Sequence, residues 1–143
     1  MKRKILYSLI VMLLALPALV KAQAPSPSPS PSTPLIYKDW KRVIETADHT
    51  EISTRVIRCN MMTPNQVHIL LFNEAGVAKV VNFKVQITNK IDNKTFSKKI
   101  TFNTAPYQMV FTDCSDNPVF STFRIDLPND YNPQNLDIVI TML

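Results

Sequence analysis

Val77-Ala78-Lys79-Val80-Val81-Asn82-Phe83-Lys84-Val85-Gln86-Ile87-Thr88 decides how the rest of the chain is read. From Val81 onward, Val81, Phe83, Val85 and Ile87 fall on one side, joined by Val77, while Asn82, Lys84, Gln86 and Thr88 fall on the other. A period of two is that of a strand with one buried and one wetted face, because successive side chains point to opposite sides of a pleated backbone. The stretch therefore predicts a strand over Val77 to Thr88.

The same alternation recurs on both sides of it. Trp40 to Thr46 and Glu51 to Cys59 read as a hairpin over Ala47-Asp48-His49-Thr50, and Gln66 to Phe72 follows an Asn60 to Asn65 loop. Downstream, Asn89-Lys90-Ile91-Asp92-Asn93 turns the chain into Thr95 to Phe102. Tyr107 to Asp113, Val119 to Leu127 and Leu136 to Met142 complete the set. About eight short strands, with turn residues every ten or so positions and no helical periodicity, predict an all-β domain: an antiparallel β-sandwich of immunoglobulin-like or related Greek-key topology. A β-barrel is the alternative. One glycine, Gly76, serves the whole chain, and 11 asparagines spread over the domain are expected to take the left-handed turn positions in its place. The terminal strand is expected to pair within its own sheet, the alternative being donation to a neighbouring subunit.

Glycine scarcity also removes whole function classes. The phosphate-cradling loop, the dinucleotide-binding turn and the strained nucleophile elbow each need several glycines.

The N-terminus reads as an export leader. Met1-Lys2-Arg3-Lys4 is a basic start, Ile5 to Val20 an uncharged apolar run, and Ala22-Gln23-Ala24 a small-residue cleavage site, giving a signal peptide over residues 1–24, with cleavage after Ala22 the alternative. Residues 25–34, Pro25-Ser26-Pro27-Ser28-Pro29-Ser30-Pro31-Ser32-Thr33-Pro34, favour extended polyproline II and offer nothing to bury, so they read as a spacer or free tail. A single domain over residues 35–143 remains. The leader carries Lys2, Arg3, Lys4 and Lys21; without these four, the 16 basic residues become 12 against 11 acidic ones. The formal charge of +5 thus belongs mostly to the leader, which argues against a nucleic-acid partner. The expected location is outside the cytoplasm, as a periplasmic, cell-surface or secreted protein, with membrane association only if the leader is retained as an anchor.

Few residues have the chemistry of a site. Cys59 and Cys114 are the only cysteines, and a pair in an exported chain predicts a disulfide; two separate thiols or a redox pair are the alternatives. His49, in a turn, and His68, on a strand, are the only histidines that would serve as a catalytic base, and both read as structural or surface residues. No metal or other cofactor is expected. Asp113, Asp116, Asp126 and Asp130 fall near loop ends and are weak calcium-ligand candidates, although Asp and Asn are also ordinary turn residues. Among the aromatics, Tyr131 in its Asp130-Tyr131-Asn132-Pro133 loop is expected to be exposed and, with Tyr107, forms the weak binding candidate. Trp40 reads as a packing residue. Asn93-Lys94-Thr95 matches a glycosylation sequon that matters only in a eukaryotic host.

The leader end Val20-Lys21-Ala22-Gln23, a Trp near the domain start, Val56-Ile57-Arg58-Cys59 at a strand end and a second Cys after a later strand together resemble small secreted β-sandwich proteins of Gram-negative bacteria. The resemblance spans residues 37–143 and implies export and a sandwich frame, with no activity or functional residue attached. The expected function is a non-enzymatic exported binding or structural module, an accessory subunit of an envelope or secreted assembly or an adhesive module, with a protein partner and a glycan as the other partner class. The alternatives are a small hydrolase or hydrolase inhibitor acting through loop carboxylates, and a soluble ligand carrier with its ligand between the sheets.

Overall fold

The structure is a computed structural model and describes residues 33–115 and 118–143; the leader, most of the Pro/Ser segment and Asp116 lie outside the described residues. Eight strands form in chain order: β1 (Leu35–Glu45), β2 (Thr50–Arg58), β3 (Gln66–Asn73), β4 (Lys79–Asn89), β5 (Thr95–Thr104), β6 (Met109–Phe111), β7 (Arg124–Asp126) and β8 (Leu136–Met142). A short 3-10 helix, Pro118–Phe123, precedes β7. All pairings are antiparallel, and the strands form two sheets, β1-β2-β3-β6 with β7 also on β3, and β5-β4-β8. The sheets stack as an open sandwich and do not close into a barrel.

The alternation that announced β4 places Val81, Phe83, Val85 and Ile87 in the core. The facing layer is supplied by Ile52 and Val56 of β2 and by Val67, Ile69 and Leu71 of β3. Burial of such side chains is the main favourable term in folding. Val77 lies before β4 and is exposed, so it is not part of the buried face.

The strand order differs from that of an immunoglobulin domain, which sends its third strand to the second sheet. Here β1, β2 and β3 form a meander, the β4–β5 hairpin occupies the other layer, and the chain then returns to the free edge of β3. The last strand pairs along its length with β4 in its own sheet, from Phe83↔Met142 to Asn89↔Leu136.

Three local features depart from the expectations. β1 begins at Leu35, five positions before Trp40. The expected strand Val119 to Leu127 is half helical, and only Arg124–Asp126 pairs with β3. Among the described residues three have positive φ, His49 (61°), Asn93 (59°) and Tyr107 (53°), and only one of them is an asparagine. His49 reaches that region because it closes the β1–β2 turn, donating its N–H to the Thr46 carbonyl at 3.0 Å.

Phe83→Ala is expected to lower the unfolding free energy by about 3–5 kcal/mol, because it empties a fully enclosed site between the sheets. Lys84→Ala, one position away on the wetted face, is expected to change it by less than about 0.5 kcal/mol. Urea denaturation of both variants measures the contrast.

Candidate binding surface

The return to β3 is interrupted. β6 pairs with the far end of β3, from Leu70↔Phe111 to Phe72↔Met109, and β7 pairs with its near end, from Gln66↔Asp126 to His68↔Arg124. Since β2 fills the other edge of β3, β6 and β7 are two halves of one edge strand, split by the excursion from Thr112 to Phe123. Phe123 turns back into the core and meets Phe102 edge-on, with ring centroids 4.9 Å apart at 71°. On the outer side, Cys114 is bonded to Cys59 at the end of β2, as its place in the sequence led one to expect, with Cα atoms 5.3 Å apart.

Beneath that excursion, polar side chains run across the outer face of the first sheet. Gln66 Nε2 donates to Asp126 Oδ1 at 2.8 Å, which turns its amide oxygen toward His68 Nε2 at 3.0 Å. An amide oxygen only accepts, so His68 carries its proton on Nε2 and offers the lone pair of Nδ1 to Arg55 Nη2 at 3.2 Å. The Arg55 guanidinium in turn lies 4.7 Å over the Trp40 ring. Trp40 is thus half-buried against Arg55 on β1 and is not part of the core. The disulfide closes over this row, with Cys59 Sγ 3.4 Å from Gln66 Oε1. His68 is completely buried, and burial, with help from Arg55 and Arg124, pulls its pKa down to about 4. Both ring nitrogens are occupied, so His68 holds the sheet and is not placed to relay a substrate proton. His49 is exposed in its turn.

The carboxylates behave as turn and pairing residues. Asp113 accepts hydrogen bonds from the backbone N–H and hydroxyl of Ser115, Asp126 from Gln66, and Asp130 from Lys94 Nζ at 2.6 Å. The Ser115 hydroxyl and the Lys94 ammonium hold Asp113 and Asp130, respectively, below the usual carboxylate range. Among the described residues, no three His, Cys, Asp or Glu side chains gather as a metal site.

The two tyrosine candidates separate. Tyr131 was expected in solvent but is buried at 5% exposure, its ring in the core cluster, because its loop folds under the sandwich with the Tyr131 N–H on the Pro128 carbonyl. Tyr107 is 70% exposed and stands in the left-handed region that a bulky residue rarely occupies. Asn73 holds it there: its side-chain amide donates to the Val77 and Ala105 carbonyls, joining the β3–β4 and β5–β6 loops, while the Tyr107 N–H reaches the Ala75 carbonyl. Gly76 completes the arrangement, since a Cβ there would stand 2.9 Å from the Tyr107 hydroxyl.

Next to Tyr107, the sequence pattern left a surface unread. Val110 points into the core, so Met109 and Phe111 point outward, where the β3 register sets them beside Phe72 and Leu70. Met109 and Phe111 are 52% and 48% exposed, making an apolar strip at an edge strand of three residues. Two exposed apolar residues in a short strand give no separate signal in sequence; the register creates the strip.

Compared with known proteins, the chain matches no family model, no curated protein and no solved structure.

A histidine that is buried neutral binds no proton in the folded state until about pH 4, whereas the unfolded chain protonates it from about pH 6.5 downward. Its cost is therefore absent above pH 6.5 and grows as pH falls toward 4, reaching about 3 kcal/mol. His68→Gln is expected to flatten that part of the stability profile, measured by urea denaturation at half-unit pH intervals.

Proposed function

We propose that this chain is an exported, non-enzymatic binding module, an accessory subunit of an envelope or secreted assembly, that docks a protein partner on the Tyr107, Met109 and Phe111 surface. The observation that supports it most directly is the apolar strip beside an aromatic residue held in a strained backbone conformation. Aromatic and methionine side chains dominate interface cores, and backbone strain persists only where the surrounding structure imposes it. Strain of this kind costs about 1–2 kcal/mol, and here the Asn73 bonds and the Gly76 gap maintain it on an exposed ring. Export is supported by the Cys59–Cys114 bond, which belongs to an oxidising compartment. Among the described residues, no helix is long and apolar enough to cross a membrane.

The proposal separates binding from stability. Tyr107→Asn places a residue tolerant of the left-handed region at the strained position, and is expected to keep or raise the melting temperature while weakening partner capture at least about tenfold. Met109→Lys with Phe111→Lys is expected to do the same to binding while leaving the core untouched. Co-purification from the envelope fraction, with wild-type and variant proteins side by side, is the measurement; a wild-type protein that is strictly monomeric and partnerless sinks the proposal.

A further inference from the structure

The two sheets do not meet along their whole length. Where β1 at the edge of the first sheet passes β8 at the edge of the second, a cleft of about 470 Å³ opens, within the range of small-ligand sites. Its inner wall is largely apolar: Val43, Val56, Leu136 and Ile138 line it, all drawn from the core or packed against it, with the buried Thr54 among them. Its mouth is cationic. Lys38, Lys41 and Lys90 stand around it, and among the described residues none of the three is within ion-pair distance of a carboxylate. Arg42 is also present but already engages Glu45 and Glu51, and Asp39 and Asp137 are the only carboxylates in the lining. The excess of positive charge at the mouth of a low-dielectric cleft focuses an attractive potential on an anion.

We propose that this cleft binds a small amphipathic anion, a carboxylate or phosphate head on an unbranched apolar body, with the head between Lys38 and Lys90 and the body against Val56 and Leu136. The head position follows from the cations. Lys38 reaches across the gap and donates to the Leu136 carbonyl at 2.7 Å, which fixes its ammonium at the entrance. Burial, and then the charges of Lys90 and Lys41, lower the Lys38 pKa, a repulsion that a bound anion relieves. The body position follows from the lining, since a purely inorganic anion would leave the apolar interior against water. The inference is independent of the docking surface, which lies on the opposite edge of the first sheet.

The protein carries its own reporter. Trp40 is the only tryptophan in the chain; it sits on β1 between the lining residues Asp39 and Lys41, and its ring packs on the guanidinium of Arg55, whose residue also borders the cleft. Trp40 emission is titrated with decyl phosphate and decanoate below their micellar concentrations, with decanol for the apolar body alone and inorganic phosphate for the head alone. The expected result is saturable binding of at least one amphipathic anion, at least about tenfold tighter than either half; the tighter of the two names the head group. Lys38→Met with Lys90→Met is expected to weaken it at least about tenfold with unchanged circular dichroism. Lys90→Glu, which leaves the Lys38 bond to Leu136 in place, is expected to weaken it as well. No saturable change, equal affinity for decanol or inorganic phosphate, or unaltered affinity in Lys90→Glu would each overturn the proposal.

Discussion

Much of the molecule depends on how the outer face of β3 is covered. A central strand that is buried on both faces ordinarily reads as a continuous apolar run, yet β3 sets Gln66 and His68 outward and buries both. Buried polar groups are stable only when they are hydrogen-bonded. The row from Asp126 through Gln66 to His68 satisfies that condition for the two buried β3 side chains, while Arg55 at its end bonds through Nη2 and leaves its buried Nε without a partner, and the Cys59–Cys114 bond closes over the row. Breaking the edge strand into β6 and β7 is the geometric consequence. The chain leaves the ladder at Phe111, paired with Leu70, drops Phe123 into the core, and rejoins β3 at His68, two residues nearer its start.

This accounts for a disulfide of large sequence separation in a small domain. Closing a loop of 55 residues of separation stabilises the fold by about 4 kcal/mol in the chain-entropy description. The bond also shields a neutral imidazole from water. In a reducing compartment both contributions would be lost together.

The sequence made the sandwich readable where a single face is buried. β4 and β8 alternate cleanly, because one side of each meets the core and the other meets solvent. It misled where the burial was not a strand's. Phe123 and Ile125 look like one alternating run, but Phe123 is buried from a 3-10 turn and Ile125 from a ladder, and two or three residues of either geometry produce the same spacing. Tyr131 misled for a related reason: proline and asparagine around it do mark a loop, but a loop near a sheet end can tuck one large ring beneath it. The cysteine pair was readable because compartment chemistry, not register, decides it. The polar row, the apolar strip and the basic cleft were not, since each gathers residues from strands whose mutual register only folding fixes.

β1 shows how one sequence feature serves two requirements. Its ladder with β2 shifts register between Ile36 and Lys38, between Lys38 and Lys41, and between Arg42 and Ile44. Bulges and lysines on an edge strand oppose edge-to-edge association, since they twist the hydrogen-bonding groups away and charge the approach. The same irregularity keeps β1 from running flush against β8, so the sheets part there, and the lysines that guard the edge become the mouth of the cleft. The short, apolar β6 edge carries neither device. An edge guarded by charge and an edge left apolar, on one small sheet, are what a domain needs if it is to accept a protein partner from one direction only.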